Sequence, residues 1–158
     1  LRARGWRIPD AAVRAGLAQV RWPARVELLR RAPWFVLDGG HNPQCAQTVA
    51  DNLARYFPDR RITLLVGVLA DKDWKAMFRR VLPMAKAFVA VTPDSPRALP
   101  AEELAEWLRA SSSCPVLVQD NLDAGVDAAL SMAGPEDVVC AWGSLYSVGE
   151  IRHHLGLC

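Results

Sequence analysis

The sequence predicts an α/β domain in three layers, with a mainly parallel sheet between helices, and three observations carry that expectation. Short apolar, β-branched runs alternate with longer stretches of helical period five times over. The run ITLLVGV at 62–68 is apolar at consecutive positions, as a parallel strand covered on both faces requires. The third observation is LDGGHNP at 37–43, where an apolar run ends in Asp38, turns through two glycines and meets Asn42-Pro43 ahead of an amphipathic stretch. Asn is a favoured helix N-cap and Pro fits the first helical position, so this is a strand feeding a helix.

Each element has its own justification. Residues 10–19 read as a short helix capped by Asp10, and 21–29 as a leading strand or hairpin. Trp34-Phe35-Val36-Leu37 is the first parallel strand. Ala46, Val49, Ala50, Leu53 and Phe57 then recur at helical spacing, and Pro58-Asp59 closes that helix. After the strand at 62–68 come a helix over 74–81, a strand near 88–91 and a helix near 101–110. A strand at 116–118, a helix over 122–132, a strand at 138–141 and a final helix from about Ser144 complete the series. Such repeats imply right-handed crossovers and a Rossmann-like sandwich whose ligands gather at the carboxyl ends of the strands. Those ends are 38–41, 68–73, 92–97, 119–121 and 142–144, and they hold most of the candidate chemistry.

Length and composition narrow the function classes. A chain of 158 residues that is 51% apolar suits one domain with a proper core, here assigned to 22–158 with 1–21 as a tether and short helix. Basic and acidic residues nearly cancel, 19 against 17, and the arginines are scattered, which argues against a nucleic-acid partner. No run of about 18 apolar residues is present to span a bilayer, so no membrane partner is expected. The first residues lack the apolar centre and cleavage site of a secretory signal, and the chain begins with Leu1 rather than Met. A piece of a longer protein is the expectation. Four widely spaced cysteines without a C-x-x-C pair argue against a zinc ribbon or a disulfide scaffold. A reduced, cytoplasmic setting and a monomer are expected.

Asp38 at a strand end, two glycines and His41 beside a helix N-terminus make a phosphate- or nucleotide-facing corner. Yet the chain has no G-x-x-x-x-G-K-[ST] loop, no G-x-G-x-x-G after the first strand and no G-x-S-x-G elbow. Any nucleotide chemistry here is therefore one half of a site. Structural roles stand beside each functional one. Asp38 suits a turn, His41 a helix start, Arg25 a solvated strand charge and Ser144 an N-cap. Arg97 pairs with Asp94 or grips a ligand; Lys72, between two aspartates, neutralises its own loop or does the same. His41 and Cys45, four apart, do not make a closed metal site. His153 and His154 suit the end of a helix.

Five motifs in order, each at an expected strand end, resemble the C-terminal domain of the folylpolyglutamate synthase and dihydrofolate synthase family of the Mur ligase superfamily. They are W-P-x-R-x-E (Trp22, Pro23, Arg25, Glu27), L-D-G-x-H-N-P (Leu37 to Pro43), G-x-x-x-D-K-D (Gly67, Asp71, Lys72, Asp73), T-x-x-x-P-R (Thr92, Pro96, Arg97) and G-S-L-Y (Gly143 to Tyr146). The resemblance runs from about Trp22 to Arg152. It implies a Mur ligase C-terminal type of fold and an ATP-dependent amide ligase whose P-loop domain is covalently linked in front of this one. The partners it implies are ATP, folate or dihydropteroate, and L-glutamate. By motif position Arg25 and Asp38 contact the nucleotide, and His41 lies near the transferred phosphate. Arg97, Ser144 and Lys72 are glutamate candidates. Mg²⁺ ligands are implied to lie in the preceding domains, so none is assigned here. Two positions depart from the family pattern: Ala24 stands where Gly is usual, and Gly40 where Ala is usual. The rivals are another Mur-type ligase, joining an amino acid to a cell-wall nucleotide, and a stand-alone binding module.

Overall fold

The computed structural model describes residues 1–157. After a 3-10 turn at Arg2–Arg4 come α1 (Asp10–Gln19), β1 (Glu27–Arg31), β2 (Trp34–Asp38), α2 (Pro43–Tyr56), β3 (Ile62–Val66) and α3 (Trp74–Val81). β4 (Ala85–Ala90), α4 (Ala101–Ser111), β5 (Val116–Val118), α5 (Leu122–Ser131), β6 (Val138–Trp142) and α6 (Tyr146–His154) follow. The six strands form one sheet in the order β1-β2-β6-β3-β4-β5. Five are parallel, and β1 adds to the edge antiparallel to β2.

The consecutive apolar runs are explained by two cores, one on each face of the sheet. Val36, Leu64, Val66 and Phe88 point into a cluster with Val49 and Leu53 of α2, Phe78 of α3 and Leu104 and Leu108 of α4. Phe35, Leu37, Leu65 and Val89 point the other way, onto Val126 of α5 and Ile151 of α6. Alternate residues of each strand thus serve opposite faces, and each fully buried Leu or Phe contributes about 1.5–3 kcal/mol.

Helix placement fixes where a ligand can sit. The chain leaves β2 and β3 toward the face of α2 and α3, whereas it leaves β6, which lies between them, toward the face of α6. The loops diverge above β6, and a crevice at the strand ends is the result.

Some local expectations are corrected. Asp10 opens α1, but the N-cap position is Pro9, without a side-chain cap. Its carboxylate is taken by Arg2, 2.6 Å away. α1 buries no residue. β3 stops at Val66 because the Val68 carbonyl accepts from the Leu99 N–H, 2.9 Å, and Leu69 bridges Ala98. β4 begins at Ala85, earlier than the apolar run suggested. Among the described residues no helix is long and apolar enough to cross a membrane.

Candidate functional site

Arg25 lies in a turn ahead of β1, not in a strand. Its neighbours Ala24 and Val26 adopt φ of 53° and 47°. Left-handed backbone is uncommon outside Gly and is an outlier for a β-branched residue, so something must hold this turn. Asp38 does much of that. Its Oδ2 accepts the Val26 N–H at 2.8 Å and its Oδ1 accepts the Gly40 N–H at 2.7 Å. The carboxylate is 6% exposed, so these charge-assisted bonds lie largely out of water. The Ala24 carbonyl accepts from both the Gly39 N–H and Arg25 Nη1, each at 2.9 Å. A Cβ on Gly39 would lie 2.3 Å from Leu145 Cδ2 and 3.3 Å from Arg25 Nη1, so a side chain there would displace those two chain ends.

Beyond the glycines, Asn42 caps α2 as expected: its side chain accepts the Cys45 N–H at 2.9 Å, with Pro43 next in line. The cap sets His41 beside the helix N-terminus. His41 Nδ1 lies 3.0 Å from the Gly39 carbonyl. A carbonyl can only accept, so Nδ1 carries the proton and Nε2 is the atom presented to a ligand.

The other strand ends hold a second cluster. Arg97 donates Nη1 to Asp71 Oδ2 at 2.9 Å and Nη2 to the Tyr146 hydroxyl at 3.4 Å. The expected partner Asp94 is replaced by Asp71 because the Leu69–Ala98 bridge draws the two loops together. The bond to Tyr146 and the Asp71 carboxylate hold the Arg97 guanidinium above its ordinary range, so its charge is fixed. Lys72 Nζ stands 3.8 Å from the same Asp71 oxygen. Asp73, on the other side of Lys72, instead caps α3 by accepting the Ala76 N–H at 3.2 Å. Ser144 is buried, and its Oγ accepts the Tyr146 N–H at 3.2 Å. It precedes α6 by two residues and is not its N-cap.

Two cavities meet at His41. One, of about 210 Å³, is lined by Arg25, Asp38, His41, Gln44 and Cys45 among others. The other, of about 100 Å³, is lined by His41, Lys72, Arg97, Ser144 and Tyr146 among others. A larger trough of about 720 Å³ runs between β1 and α2 past Leu28, Trp34 and Phe57, but it shares only Arg25 with the candidate residues. The titratable groups converge at the strand ends, and the site is placed there. All six candidates line this paired cavity. Sequence reasoning missed Gln44, Leu145 and Tyr146 as lining residues; Tyr146 closes the G-S-L-Y motif, which was the one signal available. Among the described residues no three His, Cys, Asp or Glu side chains gather as a metal site.

The fold and the strand-end cluster of Arg25, Lys72, Arg97 and His41 define an α/β domain with cationic side chains at the carboxyl ends of its strands. Residues 24–145 match the family described as "Mur ligase, glutamate ligase domain", and the chain belongs to that family. It is 32% identical over 148 residues to the dihydrofolate synthase/folylpolyglutamate synthase of Bacillus subtilis, covering 94% of this chain and 34% of that protein. Its fold matches E. coli FolC in complex with DHPP and ADP at a TM-score of 0.90 and 25% identity, over 98% of this chain and 36% of that one. A bifunctional folylpolyglutamate synthase/dihydrofolate synthase with Mn, AMPPNP and L-glutamate bound matches at 0.86 and 26%, over 96% of this chain and 36% of the other. The chain thus spans about a third of the length of these relatives.

Proposed function

We propose that this domain supplies the C-terminal half of the active site of an ATP-dependent ligase that adds L-glutamate to folate or dihydropteroate. The observation that carries the reading is His41 in the wall shared by two cavities, one bearing Arg25 and Asp38, the other Lys72, Arg97 and Ser144. Nucleotide occupies the first and glutamate the second. The named relatives hold ADP, or AMPPNP and L-glutamate, which supports the choice of these ligands.

In the reaction, the terminal phosphoryl group of ATP passes to a substrate carboxylate oxygen, giving an acyl phosphate and ADP. The glutamate amino nitrogen then bonds to the acyl carbon, the carbon–oxygen bond to phosphate breaks, and the amine loses a proton as the amide forms. Arg25 donates to phosphate oxygens, which a guanidinium suits. Asp38 lines the nucleotide cavity and holds the Val26 and Gly40 N–H groups. His41, with Nδ1 tied to Gly39, turns Nε2 toward the group in transit. Arg97 and Lys72 receive the glutamate carboxylate, and Ser144 adds a hydroxyl beside them.

Residues 1–21 act as the tether to a preceding P-loop domain; none of them is buried here, and Trp6 is 64% exposed. The ligands of Mg²⁺ lie mainly in the preceding domain in this reading, and here both Asp38 oxygens accept from backbone N–H groups. Among the described residues Cys45, Cys114 and Cys140 are free thiols.

Glutamate ligation by the complete protein tests the reading. Losing a charge-assisted contact to phosphate is worth about 1.5–3 kcal/mol, so Arg25→Ala raises the KM for ATP by roughly 10- to 100-fold. Asp38→Ala acts at least as strongly, because the turn that presents Arg25 goes with it. Near-normal turnover and ATP affinity in both variants would sink the assignment.

A further inference from the structure

The strained turn around Arg25 has a second anchor, which comes from the far end of the chain. Glu27, the last residue of the W-P-x-R-x-E pattern, accepts the Ala24 N–H through Oε2 at 2.8 Å. Its Oε1 is held by Arg152, in the last turn of α6, and Arg152 also donates Nη2 to the Leu157 carbonyl at 3.0 Å. Both partners of the ion pair are about three-quarters buried, with side-chain exposures of 26% and 25%. That separates the pair from the exposed surface pairs of this chain, which water screens.

The geometry runs in one direction. Arg152 fixes the Glu27 carboxylate; Glu27 fixes the Ala24 N–H; Asp38 fixes the Val26 N–H. Ala24 and Val26 are the two left-handed residues that flank Arg25. A backbone of this kind relaxes when its holders are removed, because left-handed φ is unfavourable for residues with a Cβ. With it would move Arg25, whose guanidinium is otherwise steadied by the Ala24 carbonyl and the face of Trp22, 5.8 Å away. The six-residue span Trp22–Glu27 is therefore one device: a cation on a clamped, left-handed hairpin of backbone.

We infer that Glu27 and Arg152 are positioning residues for Arg25, acting on the nucleotide through the backbone of Ala24 without touching it. The inference rests on the reading of Arg25 as a nucleotide contact. It also gives α6 two duties, since its N-terminal end carries Tyr146 at the glutamate cavity and its last turn holds the nucleotide-side turn.

The test uses the complete protein and separates KM for ATP from KM for glutamate. Glu27→Ala is expected to raise the KM for ATP about tenfold and to leave the KM for glutamate within about twofold, since a small misplacement of a positioned charge costs that much or more. Glu27→Gln keeps an acceptor for the Ala24 N–H and recovers most of the loss. Arg152→Lys keeps the charge without the fork and falls between. In an Arg25→Ala background, Glu27→Ala adds no further rise, because nothing is left to position. A rise in both KM values alike, or the same tenfold rise in that background, overturns the inference. If Arg25→Ala raises the KM for ATP while Glu27→Ala and Arg152→Lys do not, the positioning role fails and the nucleotide reading survives. If Arg25→Ala itself changes nothing, both fall. Should Glu27→Ala fail to fold, Arg152→Lys decides the matter by the same comparison, made with and without Arg25→Ala: a rise in the KM for ATP that vanishes in the Arg25→Ala background supports the inference, and no rise, or the same rise in both backgrounds, overturns it.

Discussion

The two corners that meet at His41 are built in opposite ways. At the Arg25–Asp38 corner a carboxylate that is 6% exposed spends both oxygens on backbone N–H groups, and the cation stands on a turn with no freedom of its own. At the Lys72–Arg97 corner the contacts run from side chain to side chain, and Arg97 and Asp71 are 53% and 46% exposed. Charges anchored through backbone cost no reorganisation when a ligand arrives. Exposed pairs are weak and exchange readily. The first corner suits a ligand of fixed geometry bound the same way each time. In the proposed reading the second receives a carboxylate that replaces Asp71 on Arg97 and leaves again as part of a product.

The largest expected effect tests whether both corners stand on one rigid floor. Gly143 has φ 117°, and a Cβ there would lie 2.5 Å from the Gly67 carbonyl oxygen, a backbone atom that cannot swing aside. Gly143→Ala should destabilise the protein by about 2–3 kcal/mol in urea unfolding. An unchanged midpoint would mean that the loops after β3 and β6 are as soft as the side chains above them. A smaller effect probes the exchangeable corner alone. Asp71→Asn frees Arg97, and the KM for glutamate should fall about threefold while the KM for ATP stays put. A rise would show that Asp71 orients Arg97 and does not merely occupy it.

The smallest effect is a control on α6, which carries both kinds of anchor. Besides the largely buried Arg152–Glu27 pair, its His154 reaches Asp127 at 2.9 Å and Asp123 at 3.1 Å on α5. The hydrogen bond to Asp127, followed by the charge of Asp123, raises the His154 pKa above its ordinary value against the opposing effect of burial. A raised value means that the imidazolium stabilises the fold below about pH 6.5 and that this contribution is lost as pH rises through the folded-state pKa. His154→Gln should therefore lower the urea midpoint at pH 6 and have little effect at pH 9. The KM for ATP should not follow that profile.

What was legible in the sequence divides along a similar line. Asn42-Pro43 marked the start of α2 because capping is local chemistry, and α3 and β5 have the bounds their periodicity indicated. Even the five β-α repeats follow from local pattern. The contacts that give the candidate residues their geometry are long-range. Arg97 meets Asp71 through a bridge between two loops, and Arg152 meets Glu27 across nearly the whole chain. The left-handed turn left no mark either, since Ala24 and Val26 are ordinary strand or helix residues by propensity. Gly40 shows the limit from the other side. A Cβ there would sit 2.8 Å from both Asp38 Oδ1 and Cys45 Cβ. The swap from the family's usual Ala, small on paper, goes with a corner too tight for a methyl group.

The place of β6 in the sheet has a consequence for how the domain comes into being. β6 is the last strand made and lies between β2 and β3, pairing Trp34 with Val138 on one side and Ile62 with the same residue on the other. In the folded sheet β2 and β3 stand two strand spacings apart, about 9–10 Å, and are joined only through β6. A nascent chain lacking β6 thus carries unpaired strand edges and incomplete cores on both faces, the condition that invites chaperones and proteases. Completion of the sheet and assembly of the ligand crevice become a single late event. A ribosome-bound chain would gain protease resistance in one step as β6 and α6 emerge.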